Sequence, residues 1–311
     1  MSLHITFRQL EIFACVAKQL SITRAAEFLH LSQPAVSMQV KQVENLIGMP
    51  LLEKNGKKLN LTSAGTLLQD YAEKMLASHS ILEQHLAKLA GAEEGHLNLV
   101  VPETANQFVT LVLAQFTKLH PGISFHLEIH NRKGLLECLK DHGTDLAIMG
   151  QVPPELDLVA EAFMKNPLVI IAPPDHPLCG KQKISLHELM KNKFVVRELG
   201  SGTRIAMQRF FGEHGMHLKT SMEMPSNEAI KQAVAAGLGL GIISMHTLQQ
   251  ELALKQITIP QVEKMPILRN WYLVHQKKKI LSPAMALFIQ FVTQNTQKIW
   301  SSKYPELSSF L

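Results

Sequence analysis

The sequence has few cysteines and no long apolar run. Only three cysteines occur among 311 residues, too few and too scattered for a disulfide framework or a cysteine-based zinc site. We interpret them as small buried side chains in a reducing compartment: Cys15, Cys138 and Cys179. No run of about eighteen uncharged apolar residues appears, so we expect no membrane span. Charged residues interrupt any apolar signal segment near the N-terminus, which predicts a cytoplasmic protein.

The composition indicates a folded chain with more than one domain. Hydrophobic residues make up 46% and charged residues 18%, which excludes a largely disordered or collagen-like protein. A length of 311 residues exceeds what one small domain needs. Lys and Arg number 31 against 26 Asp and Glu, so the net charge of +5 permits binding to nucleic acid or to anions without establishing it.

The pattern of apolar residues changes near residues 91–95. Before this point, the sequence predicts three short helices, a turn-rich hairpin and one long helix. After it, strands are predicted near 97–101, 125–129, 146–149, 168–172, 194–197, 221–224, 240–244 and 271–275. Helices are predicted between most of them, near 104–119, 133–141, 203–214, 227–236 and 283–299. This alternation is typical of a doubly wound α/β fold.

The third helix of the N-terminal part has two distinct faces. Ser32 is well placed to cap it, and at about 100° per residue its core face comprises Val36, Val40, Val43 and Ile47. Polar, apolar and cationic groups share the opposite face and its flanks: Pro34, Ser37, Met38, Lys41, Gln42 and Asn45. Such a mixture suits base edges and phosphates in a DNA major groove, although a polar helix face taken alone is most often simply solvated.

A hairpin follows the third helix. Two short strands, Leu51 to Lys54 and Lys58 to Leu61, flank the turn dipeptide Asn55-Gly56 and bring several lysines to one tip. Residues 1–62 contain seven basic and four acidic side chains, so most of the net positive charge of the chain lies here. We interpret the hairpin as a wing whose phosphate contacts are sensitive to salt.

Several ordered motifs resemble LysR-type transcriptional regulators. They are Phe7-Arg8-Gln9-Leu10, Ala25-Ala26, Leu31-Ser32-Gln33-Pro34-Ala35-Val36-Ser37, Lys41, Leu46 and Leu61-Thr62-Ser63-Ala64-Gly65. Residues 37–39 and 197–204 are similar to the subgroup that controls carbon-fixation operons. The resemblance covers the whole chain and implies a winged helix-turn-helix joined by a linker helix to two doubly wound α/β subdomains resembling type 2 periplasmic binding proteins.

The resemblance and the composition break together predict the domain limits. Residues 1–62 form the DNA-binding domain and residues 63–92 the linker helix for dimerisation. Residues 93–300 form the effector-binding domain, and residues 301–311 form a C-terminal tail. Within the effector domain, subdomain I comprises about 95–164 and 268–300, and subdomain II about 165–267. Two strands therefore cross between the subdomains near 163–167 and 265–269.

The predicted DNA contacts lie on the second and third helices and on the wing. They are Arg24, Ser32, Gln33, Pro34, Ser37, Met38, Lys41, Gln42, Lys54 and Lys57. Met38 stands where the family often has arginine, so no guanidinium contact to a base is carried over to that position.

The linker helix carries an a/d heptad pattern with 4-3-4-3-4-3 spacing: Leu68, Ala72, Met75, His79, Leu82, Leu86 and Leu89. Packing against its own chain is the simpler alternative. The resemblance instead implies that two protomers pair here, giving a homodimer or a tetramer on a two-fold-related operator. We interpret His79 as a polar position that touches solvent.

Three junctions that lead into helices carry small polar residues in the α/β region. Helix N-termini there attract carboxylates or phosphates, although helix capping explains any single junction. The family resemblance carries Thr104, Ser201, Thr203 and Asn227 over as effector contacts. Glu103, Gly202 and Arg204 complete the predicted site, in which Arg204 supplies a bidentate donor.

We therefore expect a transcriptional regulator that binds an inverted-repeat operator and responds to a small anionic metabolite. RNA polymerase is an expected partner. No metal, catalytic residue or cofactor beyond a small-molecule co-inducer is expected; His126, Glu128 and His130 are predicted to alternate on one outer strand face. The alternative, a periplasmic-type solute-binding protein, would share the α/β region but needs a signal sequence and no winged N-terminus.

Overall fold

The computed structural model describes residues 4–55, 58–89, 94–140 and 143–310. The chain divides into two compact units, residues 1–86 and, apart from 141–143, residues 87–311. Each unit has its own buried apolar core. No helix within the described ranges is long and apolar enough to cross a membrane.

The first unit contains three helices, a hairpin and the start of a long helix. The helices are α1 (Phe7–Gln19), α2 (Ile22–Phe28) and α3 (Gln33–Ile47), followed by β1 (Leu52–Asn55), β2 (Lys58–Leu61) and α4 (Ser63–Leu89). The β1 and β2 strands pair antiparallel, which confirms the predicted hairpin. Ser21 accepts a hydrogen bond from Arg24 N and caps α2. The order of elements is that of a winged helix-turn-helix.

Local sequence explains the start of α3. The Ser32 hydroxyl accepts a hydrogen bond from Ala35 N at 3.3 Å, and Pro34 lies in the first turn, where its missing N–H costs no helical bond. Val36, Val40 and Val43 are buried against α1 and α2, and Ile47 packs at the edge of the same core. The predicted core face of the third helix is therefore confirmed.

The heptad prediction for α4 needs a correction at its N-terminal end. Leu68 and Ala72 are buried in the core of their own unit, so they are not available as a seam for a partner helix. The exposed apolar side chains of α4 instead form a slightly rotated stripe: Leu67, Tyr71, Met75, Leu82 and Leu86. His79 is half-exposed, as predicted, with its ring 4.5 Å from that of Phe7. The Leu89 side chain lies outside the described residues.

The second unit contains a five-stranded sheet with the order β4-β3-β5-β11-β6. Its strands are β3 (Gly95–Pro102), β4 (Ile123–His130), β5 (Leu146–Met149), β6 (Leu158–Lys165) and β11 (Asn270–Gln276). The β3, β4 and β5 strands run parallel, whereas β11 pairs antiparallel with both β5 and β6. Three helices belong to this sheet: α5 (Asn106–Leu119), α6 (Arg132–Cys138) and α11 (Pro283–Lys303).

A second group of strands is built from the middle of the chain. The strands are β7 (Leu168–Ile171), β8 (Lys193–Arg197), β9 (Lys219–Met224) and β10 (Gly241–Ser244). The pairs β10-β7 and β8-β9 are joined by a bridge between Phe194 and Leu240. The accompanying helices are α7 (Leu186–Leu189), α8 (Gly202–Glu213), α9 (Asn227–Ala235) and α10 (Gln249–Ala253). Together the two groups form the doubly wound α/β region.

Two antiparallel segments connect the two groups of strands. Asn166 N donates to Arg269 O at 2.7 Å, and Leu168 exchanges backbone hydrogen bonds with Ile267. These bonds confirm the predicted crossovers near 163–167 and 265–269. The predicted strands do not include β6, and only the crossover near 163–167 overlaps it, because β6 is an edge strand that carries Glu161 and leaves most of its side chains exposed.

Candidate functional site

The outward face of α3 presents chemically mixed side chains to solvent. Its predicted reading residues are all exposed: Gln33, Pro34, Ser37, Met38, Lys41 and Gln42. The same face, together with β1 and β2, lines a groove that contains Asn45 and Lys54. Val36 and Val40 on the buried side fix the rotation of the helix, so the polar face points outward as a consequence of core packing.

Two of these side chains are already held by neighbours. The Lys41 ammonium lies 3.1 Å from a Glu44 carboxylate oxygen, and the other Glu44 oxygen accepts from Leu51 N at 2.9 Å. Burial raises the pKa of Glu44, but these hydrogen bonds outweigh it and leave the pKa below its ordinary value. The Gln42 amide oxygen accepts from Gln9 of α1 at 3.3 Å. These contacts orient groups that would otherwise sample many rotamers.

Three more predicted DNA contacts lie next to the α3 face. Arg24 on α2 and Lys54 on β1 are both exposed, and Ser32 is exposed at the helix cap. Lys57, the predicted contact at the wing tip, lies outside the described residues. The first unit thus presents cationic and amide groups around one groove.

The second unit contains a cavity of about 300 Å³ at the carboxyl ends of its parallel strands. It is lined by residues that follow β3, β4, β5, β8 and β9, and by the N-terminal turns of α6 and α8. Five of the predicted effector contacts line it: Glu103, Thr104, Ser201, Gly202 and Thr203. Open α/β sheets commonly bind ligands at such a position.

Three arginines in the cavity lining were not predicted from the sequence: Arg132, Arg197 and Arg269. Two glutamates, Glu103 and Glu198, also line it, which leaves one net positive charge among the arginine and glutamate side chains. The three arginines come from distant parts of the chain, so no local spacing could have revealed them.

The charge of Arg197 is balanced by the two glutamates of the cavity, Glu103 and Glu198. Its Nε donates to Glu198 Oε2 at 2.8 Å, and its Nη2 donates to Glu198 Oε1 at 3.1 Å. Its Nη1 lies 3.4 Å from Glu103 Oε2. Arg197 therefore acts mainly to hold the two glutamates in place.

The guanidinium of Arg269 is a second cation in the cavity lining. Burial, with Arg209 and Arg132 nearby, lowers the pKa of Arg269 to about 9, so it remains charged at neutral pH. Its Nε and Nη2 lie 3.1 and 3.2 Å from the Asn166 amide when that amide presents its oxygen, and Asn166 then donates to Ser244. Gly150 permits this approach, because a Cβ there would lie 3.3 Å from the guanidinium carbon.

Arg132, like Arg269, has no carboxylate within ion-pair distance among the contacts described. Its Nη1 donates to the Gln151 backbone oxygen at 2.6 Å. Burial lowers its pKa, and Glu155 opposes that effect. Because Arg132 also helps to lower the pKa of Arg269, an anion bound between the two would relieve their mutual repulsion.

Two predicted contacts do not line the cavity. Arg204 donates to the Arg197 backbone oxygen at 2.8 Å and forms an ion pair with Glu223, so its guanidinium is occupied elsewhere. The guanidinium groups that line the cavity belong to Arg132, Arg197 and Arg269, and not to Arg204. Asn227 is buried, and its backbone and amide nitrogens lie 3.2 and 3.4 Å from Glu103 Oε2, so it positions that carboxylate.

Hydroxyl groups and one indole complete the cavity. Ser201 occupies the N-cap position of α8 but its side chain makes no capping hydrogen bond, which weakens the interpretation that it is only a cap. Arg269 Nη2 is 3.5 Å from Thr203 Oγ1. Trp271 forms part of the wall, with its Nε1 3.5 Å from Nδ1 of the buried His246. Burial lowers the pKa of His246 to about 3, so that imidazole is neutral.

Two family models match the chain. Residues 7–66 match the lysR-family bacterial regulatory helix-turn-helix protein, and residues 90–297 match the LysR substrate binding domain. The RuBisCO operon transcriptional regulator of Allochromatium vinosum is 46% identical over 297 residues, which cover 96% of this chain and 98% of that protein. The HTH-type transcriptional activator CmpR of Synechocystis is 40% identical over 294 residues, 94% of this chain and 97% of its own.

Solved structures show the same architecture. The CcmR regulatory domain of Synechocystis PCC6803 in complex with 2-PG has a TM-score of 0.63 and 38% identity, and covers 65% of this chain and 99% of its own. Full-length CbnR with its target DNA has a TM-score of 0.65 at 19% identity over 92% of this chain and 98% of its own, which bears on the fold alone.

A winged helix-turn-helix and an α/β domain of the periplasmic-binding type, joined in one chain, define a class of transcriptional regulators. The chain belongs to the LysR family of transcriptional regulators. The relatives described above are named as transcriptional regulators and not as enzymes.

Proposed function

We propose that this protein binds an inverted-repeat operator as a dimer or a dimer of dimers and switches transcription when a small anion occupies the cavity. The target in this proposal is a carbon-fixation operon, since the relatives at 46% and 43% identity are both named RuBisCO operon transcriptional regulators. The site of action is the cytoplasm, where the chain meets DNA and RNA polymerase.

The outward face of α3 carries the DNA-binding part of this proposal. Amide, hydroxyl and cationic groups lie exposed on one side of a helix whose other side is fully buried. Gln33 at the N-terminal end suits a bidentate contact to adenine, and Met38 suits a thymine methyl group. Arg24 and Lys54 flank this face and supply contacts to phosphates.

The exposed stripe on α4 supports dimerisation. Leu67, Tyr71, Met75, Leu82 and Leu86 project apolar surface that its own unit leaves uncovered. A second copy of α4 is the occupant that would bury them and present two α3 helices to a two-fold-related site. In this proposal, residues 1–62 read DNA, residues 63–92 pair and residues 93–300 bind the effector. The predicted tail at 301–311 does not fit the fold, because α11 continues to Lys303 and Leu307 is buried in the core of the second unit.

The charge of the cavity supports an anionic effector. Arg132 and Arg269 face a volume of about 300 Å³ that also receives the N-terminus of α8 and the Ser201 hydroxyl. These are donors that bind carboxylate or phosphate groups. The Synechocystis CcmR domain was solved with 2-PG, so 2-PG is the first probe to test. A solute-binding function is less well supported, because the chain carries the winged helix-turn-helix.

A footprint on DNA tests the proposal. Purified full-length protein is titrated against its own upstream intergenic DNA at two salt concentrations, with and without 2-PG. We expect protection of two inverted half-sites, weaker binding at higher salt, and a changed footprint with the ligand. Binding that is equal for operator and unrelated DNA at both salts, with or without 2-PG, would contradict the operator proposal.

A further inference from the structure

A group of possible metal ligands lies where β4 meets α6. The β4 strand is an edge strand of the five-stranded sheet, and His126, Glu128 and His130 alternate on one of its faces, as the sequence predicted. The α6 helix begins two residues after His130 and brings Cys138 to the same place. One ligand atom from each of Glu128, His130 and Cys138 lies within 4.8 Å of the other two. The sequence-based expectation of no metal site was based on the residues of the strand and did not include Cys138 of α6.

The positions of two ligands are fixed by local structure. The carboxylate of Glu128 lies between two imidazoles, with Oε2 2.9 Å from His130 Nε2 and Oε1 3.2 Å from His126 Nε2. The His130 ring packs against Gly134 in the first turn of α6, where an added Cβ would lie 3.1 Å from Nδ1. Asn131 caps that helix by accepting from Gly134 N at 3.0 Å. The strand, the cap and the helix therefore hold His130 on the side from which Cys138 approaches.

The ligand types indicate which ion would fit. A thiolate and an imidazole favour borderline transition metals over Mg²⁺ or Ca²⁺, which prefer all-oxygen sites. Three protein ligands leave one tetrahedral position for water or for another ligand. All three side chains are only half-buried, so an ion can reach them from solvent. We propose that Glu128, His130 and Cys138 form a binding site for a divalent ion of the Zn²⁺ class.

The proposed site borders the cavity without sharing its anion-binding groups. His130 lines the cavity, as do Asn131 and Arg132 directly after it. An ion on His130 would therefore add positive charge beside the space in which the effector is proposed to bind. The metal proposal does not depend on the identity of that effector.

Cobalt binding to the full-length protein tests the site. The protein is reduced, stripped of metal and titrated with Co²⁺ alone, because a thiolate bound to Co²⁺ gives a charge-transfer absorption band that other ligands do not. We expect one ion per chain with this band, and displacement by Zn²⁺. Cys138→Ser should abolish the band, and Glu128→Gln or His130→Gln should weaken affinity roughly 10-fold or more.

Matched controls separate this site from the other cysteines and histidines. Cys15→Ser and Cys179→Ser should retain the band and the affinity, and His126→Gln, which removes one hydrogen bond to Glu128, should retain the band with a smaller loss of affinity than His130→Gln. The half-exposed Glu128 side chain makes Glu128→Gln informative even if Cys138→Ser fails to fold, which far-ultraviolet circular dichroism would reveal. No band in the unmodified protein, a band that persists in folded Cys138→Ser, or equal losses in His126→Gln and His130→Gln would each overturn the proposal.

Discussion

The α3 face and the α/β cavity handle charge and polarity in opposite ways. The α3 face leaves Gln33, Ser37 and Lys41 exposed, with Lys41 attached to Glu44 by a single ion pair. The cavity instead encloses Arg197 between two glutamates and holds Arg269 against Asn166 and Thr203. Water solvates the exposed polar groups of α3 until a partner binds. An enclosed cation needs hydrogen-bond acceptors from the protein even when no ligand is bound.

The difference predicts how the two sites respond to mutation. Removing an exposed side chain of α3 costs one base or phosphate contact and, for Lys41 or Gln42, one contact with a neighbouring side chain. A side chain in the cavity belongs to a network, so its removal also leaves acceptors without their donor.

Replacing Arg269 with Met should cause the largest loss. The cavity would lose the guanidinium held against Asn166 and Thr203, and Asn166 would lose two donors, so we expect affinity for 2-PG, the proposed probe, to fall by about 3 kcal/mol, roughly 100-fold. Isothermal titration calorimetry measures the dissociation constant for 2-PG. Arg209→Met, which removes a nearby exposed arginine, is the control and should change affinity little. Equal losses in the two variants would show that general electrostatics, and not the cavity network, binds the anion.

Gln33→Ala should reduce discrimination between operator and altered operator. Loss of one bidentate base contact is worth about 2 kcal/mol, roughly 30-fold. Fluorescence anisotropy at one fixed salt concentration measures both dissociation constants. Gln297→Ala on α11 is the matched control, because Gln297 lies in the second unit and donates to Ser301 of its own helix. An unchanged ratio of the two constants in Gln33→Ala would remove this residue from base reading.

Ser32→Ala should destabilise the first unit by about 1 kcal/mol through loss of the α3 cap. Both tryptophans, Trp271 and Trp300, belong to the second unit, so tryptophan fluorescence reports on that unit alone. We expect an earlier denaturant transition by circular dichroism and an unchanged one by fluorescence. Ser282→Ala, which removes the α11 cap, should shift the fluorescence transition instead. A shift of the fluorescence transition in Ser32→Ala would mean that the units unfold together.

Lys54→Ala should have the smallest effect on affinity but a distinctive dependence on salt. Removing one phosphate contact should weaken binding to all sequences alike and reduce the slope of log affinity against log salt by about one. Lys118→Ala, an exposed lysine on α5, removes the same charge from the second unit and should leave the slope unchanged. A change in sequence preference in Lys54→Ala would contradict its assignment to phosphate.

Local patterns were sufficient for most of the fold. The capping serines Ser21 and Ser32, the valines of α3 and the hairpin dipeptide each act over a few residues, so the helix-turn-helix could be predicted. The β6 strand was missed because an edge strand buries little and shows no clear apolar alternation. The prediction of Leu68 and Ala72 as a dimer seam followed the heptad spacing. The fold of the same unit buries both residues instead.

Local sequence was sufficient to predict the order of most elements, the two faces of α3 and the serine and threonine hydroxyls that line the cavity. These features depend on periodicity, capping and motifs that neighbouring residues carry. Only the tertiary structure placed Arg132 and Arg269 together, directed Arg204 away to Glu223, and brought Cys138 to Glu128 and His130. Such groups meet because parallel strands end at one edge of a sheet and helices return across it, which no local spacing records.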